Sequence, residues 1–125
     1  MSINTGLDAR RIRAAKNQSL LREVNERIEE IVGGHVPTYD ELQNARTIDL
    51  ACECAEQTCT ARVTMTIAEY EAIRADSNLF FVLPGHELDN IDEIVRTTPA
   101  YVVVKKLGAG ATVAQRLDPR KRSRR

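Results

Sequence analysis

The sequence predicts an α+β fold in a single small domain, with a long N-terminal helix, a small and mostly antiparallel sheet, and two short helices. Three observations lead to this prediction. The N-terminal part repeats apolar residues at helical spacing, the middle alternates apolar and polar residues as strands do, and a helix-capping motif separates two of the strand-like stretches. At 125 residues the chain has the usual length of one domain and can bury one modest core.

Residues 8–32 are predicted to form one helix, which the glycines at 33 and 34 bring to an end. Large apolar side chains recur along one face at steps of three and four, namely Leu21, Val24, Ile28 and Ile31. Exposing such a side chain to water costs roughly 1.5 to 3 kcal/mol. We therefore expect this stripe to pack on the protein body or on a second copy of the chain.

Two alternating stretches predict a β-hairpin. Residues 47–54 form the first strand, whose predicted buried face consists of Ile48, Leu50, Cys52 and Cys54. Residues 62–66 alternate again, so the segment 55–60 is predicted to be the tip of the hairpin. Thr66 and Glu69 have the spacing of a capping box, which opens a short helix that ends near residue 75.

The apolar run 79–83 has the length of a buried strand, and Pro84 and Gly85 are expected to turn the chain and present His86. Asn90 is then a candidate cap for a second short helix. That helix is predicted to end at about Thr98 because Pro99 cannot continue it.

Residues 100–106 are again strand-like, and the sequence Gly108-Ala109-Gly110 is predicted to turn the chain into a final strand at residues 112–116. A G-x-G sequence can bind phosphate when a helix follows it and supplies backbone amides. Because a strand is predicted here, the sequence is interpreted as a hairpin turn and not as a phosphate site.

Charge divides the chain into three parts, although the net charge is zero. Residues 1–22 carry +4, residues 23–115 carry −9 and the last ten residues carry +5. We assign residues 1–34 to the N-terminal helix, 35–117 to the α/β body and 118–125 to a disordered basic tail. The tail is expected to contact a polyanion or an acidic protein surface, or to fold back on the acidic body, through Arg120, Lys121, Arg122, Arg124 and Arg125.

Several features favour a cytoplasmic protein. The first residues lack the apolar core of a signal peptide, and no stretch approaches the roughly 18 apolar residues that cross a bilayer. The chain has three cysteines within one short segment, an odd number that fits a reducing compartment better than a disulfide framework. Such close spacing points to metal or redox chemistry.

The three cysteines are candidate zinc ligands. Cys52, Cys54 and Cys59 have the spacing C-x-C-x4-C, and the turn at Pro84-Gly85 can bring His86 to them. Zinc favours four tetrahedral thiolate and imidazole ligands, so a zinc-knuckle-like hairpin tip is predicted. Four protein ligands would make a closed structural site, which leaves no open position for activating water.

Three alternatives remain open at this stage. His35 is the substitute fourth ligand. The cysteines are otherwise small apolar residues that continue the buried strand face, or thiols with a redox role. The acidic neighbours Glu53 and Glu56 disfavour a reactive thiolate, because nearby cations are what lower the pKa of a thiol.

Five segments carry a resemblance to a known family. They are REVNERI at 22–28, CECAEQTC at 52–59, TMTIAEYEAIRAD at 64–76, FFVLPGHE at 80–87 and YVVVKK at 101–106. They are distributed over residues 22–106, and the chain resembles a family of short actinobacterial proteins with a C-x-C-x4-C turn, an AEYEAIR-type helix and a PGHE motif. Thr58 departs from that pattern, in which glycine often precedes the last cysteine. The resemblance implies no particular activity.

These observations favour a small, non-catalytic, zinc-binding interaction or regulatory protein. The expected partner is another protein or a second copy of the chain bound through the N-terminal helix, and no membrane is expected. A nucleic-acid-associated protein that contacts phosphates through its basic ends is one alternative. A thiol and zinc redox sensor is the other.

Overall fold

A computed structural model of the chain describes residues 5–33, 46–56 and 58–122. Its architecture is α+β in a single small domain, which confirms the predicted fold class. The elements in chain order are α1 (Thr5–Gly33), β1 (Thr47–Ala51), β2 (Arg62–Thr66), α2 (Ile67–Arg74), β3 (Leu79–Val82), β4 (Asp92–Thr97), β5 (Val102–Lys106), α3 (Ala109–Arg116) and α4 (Pro119–Arg122).

The strands form two small antiparallel sheets. Strands β1 and β2 make the predicted hairpin, in register from Thr47 opposite Thr66 to Ala51 opposite Arg62. The second sheet has the strand order β3-β5-β4, with β5 in the centre. Within the described residues, no helix combines the length and the apolar character needed to span a membrane.

The predicted capping box is present at the start of α2. The Glu69 backbone N–H donates to the Thr66 hydroxyl at 3.0 Å, and the Glu69 carboxylate accepts from the Thr66 backbone N–H at 2.7 Å. Both ends of the motif thus satisfy backbone groups that a helix terminus otherwise leaves without partners. The helix follows β2 directly and carries Tyr70 and Ile73 into the core.

The core lies between the two sheets and the helices that cover them. Its largest apolar members are aromatic, with Tyr70 and Phe81 in an edge-to-face contact at 6.1 Å and Phe81 and Tyr101 in another at 6.5 Å. Aliphatic residues from every strand except β4 complete this core cluster. The aromatic residues that the structure describes, Tyr70, Phe80, Phe81 and Tyr101, are therefore all in the core.

The segment after Asn90 is a strand, so the helix predicted there is wrong. Asn90 adopts a positive φ of 64° in a turn, and β4 then pairs with β5 with a register irregularity between Ile94 and Arg96. Pairing with the free edge of β5 satisfies the backbone of this segment, and its β-branched residues suit a strand. Strand pairing has overridden a local capping signal that no helical apolar repeat supported.

The segment after Gly108 is a helix, so the final strand predicted there is also wrong. Helix α3 packs against α1, and Val113 and Ala114 are buried on it. A Cβ atom at Gly110 would lie 3.2 Å from the Arg11 carbonyl oxygen, so the absent side chain permits the close approach of the two helices. The glycine that suggested a hairpin turn serves helix packing instead.

Helix α1 contains the predicted helix, but its buried face differs from the prediction. Ile28 packs against the core, whereas Val24 is 47% exposed and Ile31 is 76% exposed, so the predicted stripe does not dock as a unit on the protein body. The buried face is instead made of small and polar residues, namely Ala14, Ala15, Gln18, Ser19, Arg22 and Asn25. The body supplies hydrogen-bond partners for Gln18, Arg22 and Asn25, which periodicity of apolar residues cannot reveal.

The structure describes the C-terminal segment through residue 122, and this part contacts the protein body, while the disorder predicted for residues 118–125 stays a prediction. Asp118 is buried and contacts Arg22 at 3.3 Å, and residues 119–122 form α4. The Arg120 guanidinium contacts three acidic side chains, those of Glu26, Glu29 and Glu71, at 2.8, 3.3 and 2.7 Å. The acidic body thus neutralises the beginning of the basic segment.

Candidate metal centre

The loop between β1 and β2 carries three cysteines, and backbone hydrogen bonds hold it closed. The Cys52 N–H donates to the Ala61 carbonyl at 3.1 Å, which extends the hairpin ladder beyond β1. The Cys59 N–H donates to the Glu56 carbonyl at 3.1 Å, which turns the chain back toward β2. The strand ends at Ala51, three residues before the predicted end, but Cys52 and Cys54 are both buried as the alternation predicted.

Glu53 explains why the strand ends where it does. Its N–H donates to the Phe81 carbonyl of β3 at 3.0 Å, so the chain changes its pairing partner between Cys52 and Glu53. Alternation places the Glu53 side chain on the side opposite to the cysteines. The C-x-C segment therefore lies against both sheets at once.

The fourth member of the cluster follows β3. The His86 N–H donates to the Leu83 carbonyl at 2.9 Å across the turn at Pro84-Gly85, and Gly85 has φ of 92°, a conformation that favours glycine. This tight turn directs the imidazole toward the hairpin loop, as the sequence predicted.

The four side chains meet at one point. One ligand atom from each of Cys52, Cys54, Cys59 and His86 lies within 4.8 Å of all the others. His86 Nδ1 is 3.6 Å from Cys52 Sγ and 3.7 Å from Cys59 Sγ. Tetrahedral zinc with Zn–S of about 2.3 Å and Zn–N of about 2.0 to 2.1 Å places sulfur and nitrogen about 3.6 Å apart. The two sulfur–nitrogen distances match tetrahedral coordination, and the four ligand atoms lie close enough together to hold a metal ion.

Burial keeps the thiols of the inner cysteines neutral in the absence of a cation. Cys52 and Cys54 are buried, while Cys59 and His86 are half-buried. Burial raises the pKa of Cys52 to about 12, and it also raises the pKa of Cys54. A bound metal cation has the opposite effect, because it stabilises the thiolate directly.

Neighbouring groups orient the sulfur atoms. The Leu83 backbone N–H donates to Cys52 Sγ at 3.2 Å, which is the kind of contact that stabilises a metal-bound thiolate. The Asn17 side chain of α1 donates to the Ala55 carbonyl at 3.4 Å and so ties the loop to the long helix. The site is therefore supported by both sheets and by α1.

The outer side of the cluster borders a small cavity. It has a volume of about 220 Å³ and is lined by Asn17, Leu20, Leu21, Cys54, Glu56 and Cys59. Of the four candidate ligands, only Cys54 and Cys59 line it. The cavity connects the surroundings of the cluster with the exposed face of α1.

A buried ionic network lies behind the C-x-C segment, and sequence analysis missed its role. The Glu53 carboxylate accepts from Arg74 at 3.1 Å and from Asn25 at 2.7 Å, and all three side chains are buried. The Arg22 Cζ atom lies 4.1 Å from the centroid of the Phe80 ring, over its face. The available signal was the alternation itself, which sends Glu53 away from the cysteines and into the protein.

Of the other predicted contact residues, only Arg120 has a described side chain, and it is not part of this cluster. Arg120 pairs with the acidic side chains of α1 and α2. His35, the substitute ligand, lies outside the described residues, as do Arg124 and Arg125 and the side chains of Lys121 and Arg122.

Comparisons of this chain with protein-family models, with curated proteins and with solved structures found no match.

Proposed function

We propose that this chain is a small zinc-binding, non-catalytic interaction or regulatory protein, in which Cys52, Cys54, Cys59 and His86 bind one Zn²⁺ ion. The observation that carries this proposal is the convergence of the four ligand atoms within 4.8 Å of one another. The resemblance to the family of short actinobacterial proteins is compatible with zinc binding. We propose that the chain belongs to that family, on the basis of its C-x-C-x4-C turn, AEYEAIR-type helix and PGHE motif.

Zinc is the metal that best fits this donor set. Three thiolates and one imidazole form a soft to borderline set in tetrahedral spacing, whereas magnesium and calcium require oxygen ligands. The sulfur to nitrogen distances of 3.6 and 3.7 Å agree with a zinc ion at the centre.

The proposed role of the metal is structural. Three ligands belong to the β1–β2 loop and the fourth follows β3, so one ion would join the two sheets of the fold. All four coordination positions are occupied by protein atoms in this arrangement, which leaves none for water or substrate. The binding free energy of the metal would then appear as folding free energy.

Substitution of the ligands tests this proposal. We expect Cys52→Ser, Cys54→Ser and Cys59→Ser each to lose zinc and to melt at markedly lower temperature, with a milder loss for His86→Ala. His35→Ala is the matched control, because it removes the other histidine and should keep both the metal and the melting temperature. Ligand variants that retain zinc and melt like the unmodified chain would refute the assignment. Loss of zinc in His35→Ala would show that His35 is the fourth ligand.

A second candidate function is phosphate-mediated nucleic-acid binding, favoured by the basic half of α1. Arg10, Arg13 and Lys16 are exposed and have no ion pair among the described residues. Arg10 and Arg13 line an open cleft of about 490 Å³, whose lining also includes the Ala55 residue of the cysteine loop and the acidic Asp89. Binding of this kind should depend little on base sequence and fall steeply with salt.

A titration with short RNA and DNA at low and physiological salt tests this candidate. Arg10→Ala combined with Arg13→Ala should weaken binding, whereas truncation after residue 122 tests the basic end separately. Equal affinity of all three chains, or no binding at low salt, would eliminate nucleic acid as the ligand.

A further inference from the structure

The outward face of α1 carries an apolar groove that the protein body leaves open. Leu20 is 64% exposed, Val24 47% and Ile31 76%, although all three are large apolar residues. They line a shallow groove of about 490 Å³ together with Glu23, Arg27 and Ile28. Contiguous exposed apolar surface on a helix is typical of an interaction site.

The spacing along this groove matches a helix-pairing seam. Leu20, Val24, Arg27 and Ile31 follow one another at steps of four, three and four, the alternation that keeps one stripe facing a partner helix. Arg27 interrupts the apolar residues, but its aliphatic stem can cover apolar surface while its guanidinium reaches the edge of the seam. The face therefore suits another helix of similar length.

We propose that this groove binds a second copy of the chain, with the two α1 helices antiparallel about a two-fold axis that crosses the seam between Val24 and Arg27. In that arrangement Leu20 lies opposite the partner's Ile31. Glu23 lies beside the partner's Arg27, and the symmetry repeats both contacts. An in-register parallel pairing would place Arg27 opposite the partner's Arg27, which is repulsive, so the charges favour the antiparallel form.

The cavity beside Cys54 and Cys59 continues the apolar groove of α1. Leu20 belongs both to the groove and to the cavity beside Cys54 and Cys59. Because the partner's Ile31 comes opposite Leu20, the end of the partner helix covers this cavity. The proposed interface is independent of whether a metal is bound, and it extends the assigned function by naming the partner.

The proposed interface is small, so association is expected only at high protein concentration. Standard stable interfaces bury about 800 Å² per partner, and a seam of three turns gives less. We expect a dissociation constant on the order of tens of micromolar, so sedimentation should be measured under reducing conditions from about 5 to 500 μM.

Charge reversal provides the decisive test. Glu23→Arg alone and Arg27→Glu alone each create like-charge pairs across the two-fold axis, and each should weaken association by roughly tenfold or more. An equimolar mixture of the two variants restores opposite charges in a mixed dimer, so it should associate about as well as the unmodified chain. Weakening in both single variants together with recovery in the mixture indicates antiparallel two-fold pairing, because a parallel pair has like charges opposite each other in the unmodified chain and in either single variant and therefore predicts no weakening.

Two further variants separate the interface from general surface effects. Ile31→Glu should abolish association because it places a charge opposite the partner's apolar Leu20, whereas Leu88→Glu changes a 41% exposed residue outside the seam and should not. Melting temperatures confirm that each variant folds. A chain that is monomeric throughout the concentration range, or a mixture that fails to recover, would overturn the proposal and assign the groove to a different partner.

Discussion

Buried charges are the most consequential individual residues outside the cysteine cluster. Glu53 and Arg74 pair at 3.1 Å with side chains that are 0% and 1% exposed, and Arg74 also donates to the Leu79 carbonyl at 3.0 Å. A pair this deeply buried adds little net stability, but removal of one partner leaves the other charge without compensation. The pair therefore fixes how α2 and the C-x-C segment fit together.

Arg74→Met tests this role because methionine keeps much of the volume and removes the charge. We expect a loss of about 3 to 5 kcal/mol in the free energy of unfolding, measured by urea denaturation at constant metal loading. Arg62→Met is the control, since Arg62 is an exposed arginine of β2, and it should change stability by less than about 0.5 kcal/mol. Equal effects of the two substitutions would show that the Glu53 contact is unimportant.

The candidate ligands were predictable from sequence, whereas the ionic network was not. Close spacing of chemically distinctive residues identified Cys52, Cys54 and Cys59, and a Pro-Gly turn identified His86. Glu53 and Arg74 are ordinary charged residues 21 positions apart, and their pairing depends on how α2 packs against the hairpin loop. Such a tertiary contact leaves no local signal in one sequence.

The packing of α3 against α1 depends on Gly110. Gly110 approaches the Arg11 backbone so closely that a Cβ atom would lie 3.2 Å from the carbonyl oxygen. Backbone is less able to move aside than a flexible side chain, so any side chain here should separate the helices.

Gly110→Val should destabilise the protein by about 1 to 3 kcal/mol because it overpacks this helix contact. Gly6→Ala in α1 is the opposite case, because nothing lies within 4 Å of its added Cβ. It should leave stability unchanged or raise it by up to about 1 kcal/mol, as expected for alanine in a helix. Thermal melts of both variants check the pair, and a tolerated Gly110→Val would contradict the packing described.

Glu29 of α1, which lies close to Glu71 of α2, makes stability depend on pH. Burial, together with a hydrogen bond to Glu71, raises the pKa of Glu29 to about 8, while Arg120 and Glu29 lower the pKa of Glu71 to about 2. Glu29 therefore keeps its proton in the folded chain at a pH where the unfolded chain has lost it. Its contribution to stability falls as pH rises from about 4.5 to 8.

Glu29→Gln removes this dependence, since glutamine does not titrate. Relative to the variant, the unmodified chain should lose unfolding free energy as pH rises between about 4.5 and 8, with no such divergence below that window. Urea denaturation at pH 4, 6 and 8 measures the difference. The exposed Glu30 on the same helix gives the control variant Glu30→Gln, and parallel curves for all three chains would contradict the proton assignment.

Local patterns predicted most elements, and the failures share one cause. The hairpin, the capping box and β3 follow from alternation and capping chemistry within a few residues. The segments that became β4 and α3 were mispredicted, because the edge of β5 and the close approach of α1 determine them. The apolar repeat of α1 predicted a helix correctly but not which face is buried, since polar partners on the body decide that.

At the scale of the whole molecule, the two small sheets in the described part of the chain meet at few points. The β1–β2 sheet and the β3-β5-β4 sheet meet through the Glu53 to Phe81 hydrogen bond, the aromatic core and the cysteine-histidine cluster. A chain of this size buries a limited core, so a metal that joins both sheets would contribute a substantial share of its stability.

Metal content is the most direct test of this account. The unmodified chain, without a histidine tag, should be purified without added metal under reducing conditions and measured by elemental analysis and native mass spectrometry. We predict about one zinc per chain, which a strong chelator removes with a fall in melting temperature. A folded chain with three free thiols, no bound metal and melting behaviour that zinc does not change would contradict the account.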